Sequence, residues 1–190
     1  MHTVTLGSTG IVTPHHAFGA LPIQRTNTQE AVRILRRAYE GGMRYFDTAR
    51  AYSNSEEKLG LAFGEGYVPR ESVYLATKTT ATNPQKLRED LETSLAMLKT
   101  DYVDVYQFHM AAQVWRPNDG TGMYEAMLEA KAEGKIRHIG ITAHKIGVAE
   151  EAVRSGLYET LQFPFSYLAG QREIDLVRSC EKHDVGFVCM

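Results

Sequence analysis

The chain has 190 residues, 43% hydrophobic and 23% charged, a one-domain length with enough apolar content to bury a core. Its 21 Lys and Arg against 23 Asp and Glu leave a formal charge of -2, so no basic excess points to nucleic acid and no polybasic cluster to a membrane surface. No apolar run approaches the ~20 residues that span a bilayer, residues 1–10 lack the pattern of a secretory signal, and two sparse cysteines, Cys180 and Cys189, fit reduced thiols in a cytoplasmic protein.

The expected elements begin with a hairpin in "HTVTLGSTGIVT", turning at Gly7–Gly10. Strand-like runs follow at 15–23, 44–47, 73–78, 102–109, 138–142, 159–163 and 185–190, with helical periodicity between them. The first helix opens on a capping-box spacing, Asn27 to Glu30, and stops at Gly41 and Gly42. The second follows from Ser55. The third has Asn83 as N-cap and Pro84 at its first position. The later helices end on Gly134, on Gly156, and on the cations before His183. No low-complexity linker breaks residues 1–190 into domains.

Strand–helix alternation implies a parallel sheet with right-handed crossovers. An open doubly wound nucleotide binder calls for a G-x-G-x-x-G turn after its first strand, and "FGALPIQ" lacks it. The alternative is an α/β fold of the (β/α)8 barrel type. A barrel takes about 250 residues and eight strands; here seven are expected, so the chain reads as a single barrel domain, 1–190, cut short at the seventh strand. An unclosed sheet has free edges, and self-association through them is expected.

Strand parity singles out particular residues. Side chains alternate faces, so Tyr45 shares a face with Asp47, Tyr74 and Ala76 with Lys78, and Val103, Val105 and Gln107 with His109. Three successive strands thus close on a polar residue at their C-terminal ends, which converge on the catalytic mouth of a parallel barrel. Tyr52 lies in the loop just past Asp47. An Asp–Lys pair alone is as readily a structural ion pair, and a lone His a hydrogen-bonded strand end; four such groups together point to a site.

"FDTARAYSNSEEKLG", "ATKT" and "DYVDVYQFH" resemble the signatures of the aldo/keto reductases, and "FGALPIQR", "GKIRHIGIT" and "LQFPFSYL" follow in the expected order. The likeness is greatest to a bacterial branch whose longer members carry a C-terminal iron–sulfur segment; no such cysteine cluster occurs in these residues. The resemblance implies an oxidoreductase that reduces small aldehydes or ketones with NADPH (NADH is an alternative). It makes Tyr52 the general acid, Lys78 the cation that lowers its pKa, Asp47 the partner of Lys78, and His109 the group that orients the substrate carbonyl. It also implies cofactor contacts from Gly19, in "FGALPIQR", from Thr142 and Gln162 to the nicotinamide carboxamide, and from Met190 by stacking. Relatives often carry Ser-Asn where this chain has Thr142 and Ala143, and His144 is the candidate substitute for the missing amide.

A non-catalytic barrel that binds a nucleotide or a partner protein, or an inactive fragment of the enzyme, stays open as the alternative. Schiff-base chemistry on Lys78 is disfavoured, because Asp47 favours the charged amine. His15 and His16 suggest a metal, but adjacent strand residues point to opposite faces, and no metal site is expected. The basic helix end near Lys135 suits the macrodipole. Trp115, in the loop 110–121, either lines the pocket or anchors that loop.

Overall fold

A computed structural model describes residues 2–64 and 66–190. Two short strands, β1 (Thr3–Thr5) and β2 (Val12–Pro14), form the expected antiparallel hairpin around Gly7–Thr9. A seven-stranded parallel sheet follows in chain order: β3 (Phe18–Gly19), β4 (Tyr45–Asp47), β5 (Tyr74–Thr79), β6 (Val103–Phe108), β7 (Ile136–Thr142), β8 (Thr160–Phe163) and β9 (Gly186–Cys189). The helices are α1 (Thr28–Glu40), α2 (Ser55–Phe63), α3 (Pro84–Leu98), α4 (Met123–Ala132), α5 (Ile146–Ser155) and α6 (Gln171–Lys182). Neighbours in sequence are neighbours in the sheet, the arrangement of successive right-handed crossovers. The two end strands, β3 and β9, do not pair with each other, and the curled sheet stops one strand short of a (β/α)8 barrel.

Capping chemistry sets the helix starts. Asn27 and Asn83 accept from the backbone N–H of Glu30 and Lys86, each at 2.9 Å, which satisfies an otherwise orphaned donor. The carboxylate of Glu30 turns to Arg33 instead of closing the box.

The parity expected from sequence divides the core into two layers. Phe46, Leu75, Tyr106, Phe108, Ile139, Ile141 and Leu161 face outward and pack under the helices. Tyr45, Ala76 and Val105 face inward, where Leu6 and Ile11 of the hairpin close the floor. Gly7 makes this plug possible: at φ +52° it lies so close to β9 that a Cβ there falls 2.3 Å from the Gly186 nitrogen.

The first barrel strand differs from expectation. A strand over 15–23 shrinks to Phe18–Gly19, and Pro22–Arg25 form a 3-10 turn. Leu21 takes the helical conformation at φ −56°, and Pro22 supplies no N–H to extend a ladder. His15 and His16 lie beyond β2 rather than in a strand, and their rings pack edge to face at 5.2 Å. The opposite-faces premise for these two residues therefore does not hold. Among the described residues no group of three or more His, Cys, Asp or Glu is placed to hold a metal ion.

Candidate active site

The C-terminal ends of the strands surround a cleft of about 720 Å³, lined by Gly19, Asp47, Tyr52, Lys78, His109, Thr142, Gln162 and Met190 together with apolar Leu21, Pro22 and Met110. All eight residues singled out in the sequence thus meet at one mouth.

Lys78 and Asp47 form its floor. The Lys78 ammonium donates at 2.6 Å to Asp47 Oδ2 and at 2.6 Å to the Thr48 carbonyl, and the side chain is buried. Two neighbouring amides complete the carboxylate's shell. Gln162 Nε2 donates to Oδ2 at 3.2 Å, Gln107 Nε2 to Oδ1 at 3.3 Å, and Gln107 also reaches Gln162 Oε1 at 3.4 Å. Gln107 sits on the inward face expected for it, but its link between Asp47 and Gln162 was not foreseen. Gly140 makes room for that side chain: a Cβ there falls 2.9 Å from Gln107 Cγ and 2.3 Å from Thr160 Oγ1.

Tyr52 hangs over this floor, its ring centroid 5.1 Å from Lys78 Nζ and 5.5 Å from the His109 ring, which it meets edge on. Its loop is tied down by two groups sequence reading passed over. The Arg50 N–H donates to the Lys78 carbonyl at 3.0 Å, and the Arg50 guanidinium pairs with Glu56, which also accepts from Thr77 Oγ1 at 2.6 Å. Glu56 is fully buried on α2; the signal for it was a helix, "SEEKLGLAFG", without a clean polar face.

The electrostatics correct one expectation. Burial first and the Asp47 charge second raise the Tyr52 pKa above its ordinary value, the opposite of the direction expected from Lys78. The ammonium's charge is already compensated by Asp47 Oδ2 and the Thr48 carbonyl, both at 2.6 Å. Burial, then the charge of Lys78, then His144, push His109 down to about 4, so its imidazole is neutral at pH 7. Its Nδ1 is buried and has no partner among the described residues.

The expected cofactor-binding residues are differently disposed. Thr142 Oγ1 already accepts from the Met110 N–H at 2.7 Å, and the buried Ala143 offers only backbone. Gln162 turns its amide down onto Asp47. Gly19 is open: a Cβ there meets nothing within 4 Å, so the cleft wall beside Asp47 presents bare backbone. Met190 is partly exposed at the opposite wall. Trp115 resolves as an anchor, stacked on Phe108 at 4.6 Å, with its carbonyl accepting from the Tyr158 hydroxyl at 2.8 Å.

The chain is 33% identical over 183 residues to methylglyoxal reductase DkgB of Salmonella typhi, covering 92% of this chain and 66% of that protein. It is 30% identical over 190 residues to the aldo-keto reductase YhdN of Bacillus subtilis, covering 91% and 56% respectively. The aldo-keto reductase AKR11C1 of Bacillus halodurans, in its holo form, superposes with a TM-score of 0.85 at 26% identity, across 100% of this chain and 65% of that one. The chain thus spans about half to two thirds of the length of the curated relatives it matches. The model of the aldo/keto reductase family matches residues 13–190, and the chain belongs to that family.

Proposed function

We propose that residues 1–190 form a single barrel-type domain carrying the catalytic mouth of a cytoplasmic NADPH-dependent reductase of small aldehydes and ketones. One observation carries this reading: Tyr52, the Lys78–Asp47 pair and His109 line the same cleft. The reductase names of the relatives supply the substrate class, and two free thiols suit a reducing compartment.

When bound, the nicotinamide cofactor supplies the hydride. The bare backbone at Gly19, the Gln162 amide and the Met190 side chain are fit to hold it, across a cleft wide enough for a flat ring. For Gln162 to reach a carboxamide it must share or release its bond to Asp47; Gln107 stays behind on Oδ1 and keeps the carboxylate oriented. Tyr52 carries its proton at neutral pH, as an ordinary tyrosine does, and it donates that proton to the substrate oxygen. The phenolate left behind lies near the Lys78 ammonium, which is 5.1 Å from the ring centroid. Neutral His109 hydrogen-bonds the same oxygen and stays neutral well below pH 7.

Tyr52→Phe tests the assignment. Loss of a positioned general acid should slow reduction of a good aldehyde by about 10²–10⁴-fold, with NADPH affinity nearly unchanged. A phenylalanine variant that works at the wild-type rate sinks the assignment.

A second reading rests on the slot between β3 and β9. It is lined by Val4, Thr13, Tyr45, Phe187, Val188 and Cys189 and encloses about 290 Å³. Unpaired strand edges on both sides favour association of the 190-residue chain with another copy and weak NADPH binding by the monomer. Sedimentation combined with an NADPH titration decides this: a monomer binding at micromolar or tighter would overturn it.

A further inference from the structure

Lys58 on α2 is 1% exposed, and no carboxylate among the described residues pairs with it. Its ammonium donates to three main-chain carbonyls: Thr26 at 2.7 Å, Ile23 at 2.9 Å and Gln24 at 3.5 Å. An ammonium has three N–H donors, so the cation is fully satisfied by backbone oxygens alone. Those carbonyls belong to the 3-10 turn Pro22–Arg25 and its cap, directly beyond Leu21 and Pro22 on the cleft wall.

The same wall is tied at its other end. The Ala20 N–H donates to the Asp47 carbonyl at 2.8 Å, and Ser55 Oγ donates to the Ala20 carbonyl at 2.9 Å. Thr48 Oγ1 donates to Ser55 Oγ at 2.9 Å, and the Ser55 N–H to the Tyr52 carbonyl at 2.9 Å. One end of α2 therefore holds the Tyr52 loop while its next turn holds the wall that faces Tyr52. Between these ties Leu21 is exposed and Pro22 interrupts the strand, so the segment is held by the packing of Ala20 and Ile23 in the core and by the bonds from Lys58.

We propose that Lys58 is a positioning residue: a buried cation that clamps the cleft wall Ala20–Thr26 by its carbonyls and so sets the width of the cleft opposite Tyr52. This rests on the reductase reading only for its consequence on turnover; the clamp itself is independent of it. Hydrogen bonds from a charged donor are the stronger kind; without Lys58 the Ile23 carbonyl keeps only the Thr26 N–H at 3.2 Å, and the partly buried Gln24 and Thr26 carbonyls lose their charged donor. An apolar side chain of the same length cannot replace it.

The test uses the 190-residue chain with Lys58→Met, which keeps the stem, and Lys58→Ala, which opens a hole. Hydrogen exchange in both variants should accelerate about tenfold or more at residues 20–26 with β5–β7 unchanged, since local opening tracks local ties. Trypsin should cut after Arg25, which is exposed in the turn. Methylammonium should restore protection to Lys58→Ala and not to Lys58→Met. Wild-type exchange at 20–26 in Lys58→Met overturns the clamp and leaves only packing. So does acceleration spread evenly over the whole sheet. In turnover, Lys58→Met should raise KM for the carbonyl substrate about tenfold with kcat within about threefold, the pattern of lost uniform binding. A fall in kcat at unchanged KM overturns the assignment of Lys58 to the wall. A wild-type chain with no turnover counts against the reductase reading, and the exchange result then decides the clamp by itself.

Discussion

The two ends of the sheet treat buried charge in opposite ways. At the N-terminal end, Asp104 is almost fully enclosed, and its Oδ2 accepts from Arg70 at 2.8 Å and from the Leu75 N–H at 2.9 Å, with Arg137 3.6 Å from Oδ1. Arg70 and Arg137 also each lie 4.0 Å from the Tyr102 ring centroid. Nearby, Glu159 accepts from Lys131 and His138, both at 2.7 Å, and from the Ile139 N–H at 3.0 Å. At the C-terminal end, Asp47 is held as firmly, but its neighbours are not. His109 Nδ1 and Gln107 Oε1 are buried without partners among the described residues. Buried polar groups are ordinarily paired, and exceptions call for a reason. A saturated cluster can only stabilise; one with capacity left over, facing a cleft, can receive a ligand. Tyr45 OH and Thr13 Oγ1 are also unpartnered, and they line the slot between β3 and β9 rather than the mouth.

The largest effect expected at either end is at the mouth. Asp47→Ala strands Lys78 with only the Thr48 carbonyl and the Tyr52 ring. Breaking a buried pair costs ~3–5 kcal/mol, reduced where solvent reaches it, and carbonyl reduction should fall with stability. A variant with unchanged melting temperature and unchanged turnover would return Asp47 to a turn-capping role. It would also erase the contrast between the two ends.

A smaller effect should follow from filling the space that Gly140 leaves on β7. Gly140→Ala places a methyl against Thr160 Oγ1 and Gln107 Cγ, and overpacking of this kind typically costs 1–3 kcal/mol. Gln107 holds Asp47 only by a 3.3 Å bond, so that bond should break before the sheet does. Denaturant unfolding should show the loss in stability with an unchanged m-value, and NADPH affinity should change because Gln162 loses the partner of its Oε1. Full wild-type stability would mean that Gln107 has no fixed place.

Much of this was legible in the sequence, for identifiable reasons. Each barrel strand after the first is short and bounded by glycine or a capping residue, so period-two parity placed Asp47, Lys78 and His109 on one face without coordinates. The first strand was misjudged because "HHAFGALPI" is apolar enough to read as a long strand, while Pro22 inside it breaks the ladder and Ser55 and Lys58 hold its backbone from elsewhere. The buried charges of α2 were hidden because a helix crowded by its neighbours on several sides loses the polar stripe that periodicity relies on. The direction of the Tyr52 shift depends first on how deeply the ring is buried and then on its distance from Asp47, and no spacing in the sequence encodes either.

The smallest effect belongs to the saturated end and carries a pH signature. Burial alone would raise the Glu159 pKa, but the hydrogen bonds from His138, Lys131 and the Ile139 N–H outweigh it and bring the group to about 2. An unfolded glutamate titrates near 4.3. A carboxyl with a depressed native pKa adds stability that is fully present above the unfolded value and is lost as pH falls from about 4.3 toward about 2. The Glu159 side chain is 25% exposed, and screening leaves roughly 1 kcal/mol or less of the interaction. Glu159→Gln should therefore destabilise the chain slightly at pH 7, and wild type and variant should converge in melting temperature as the pH is lowered through that window. The same substitution should leave the pH dependence of turnover unchanged, because the group lies at the end of the sheet away from the cleft. A shifted activity profile with unchanged stability would show that the two ends are electrostatically coupled and that the division between a stabilising end and a reactive end is too sharp.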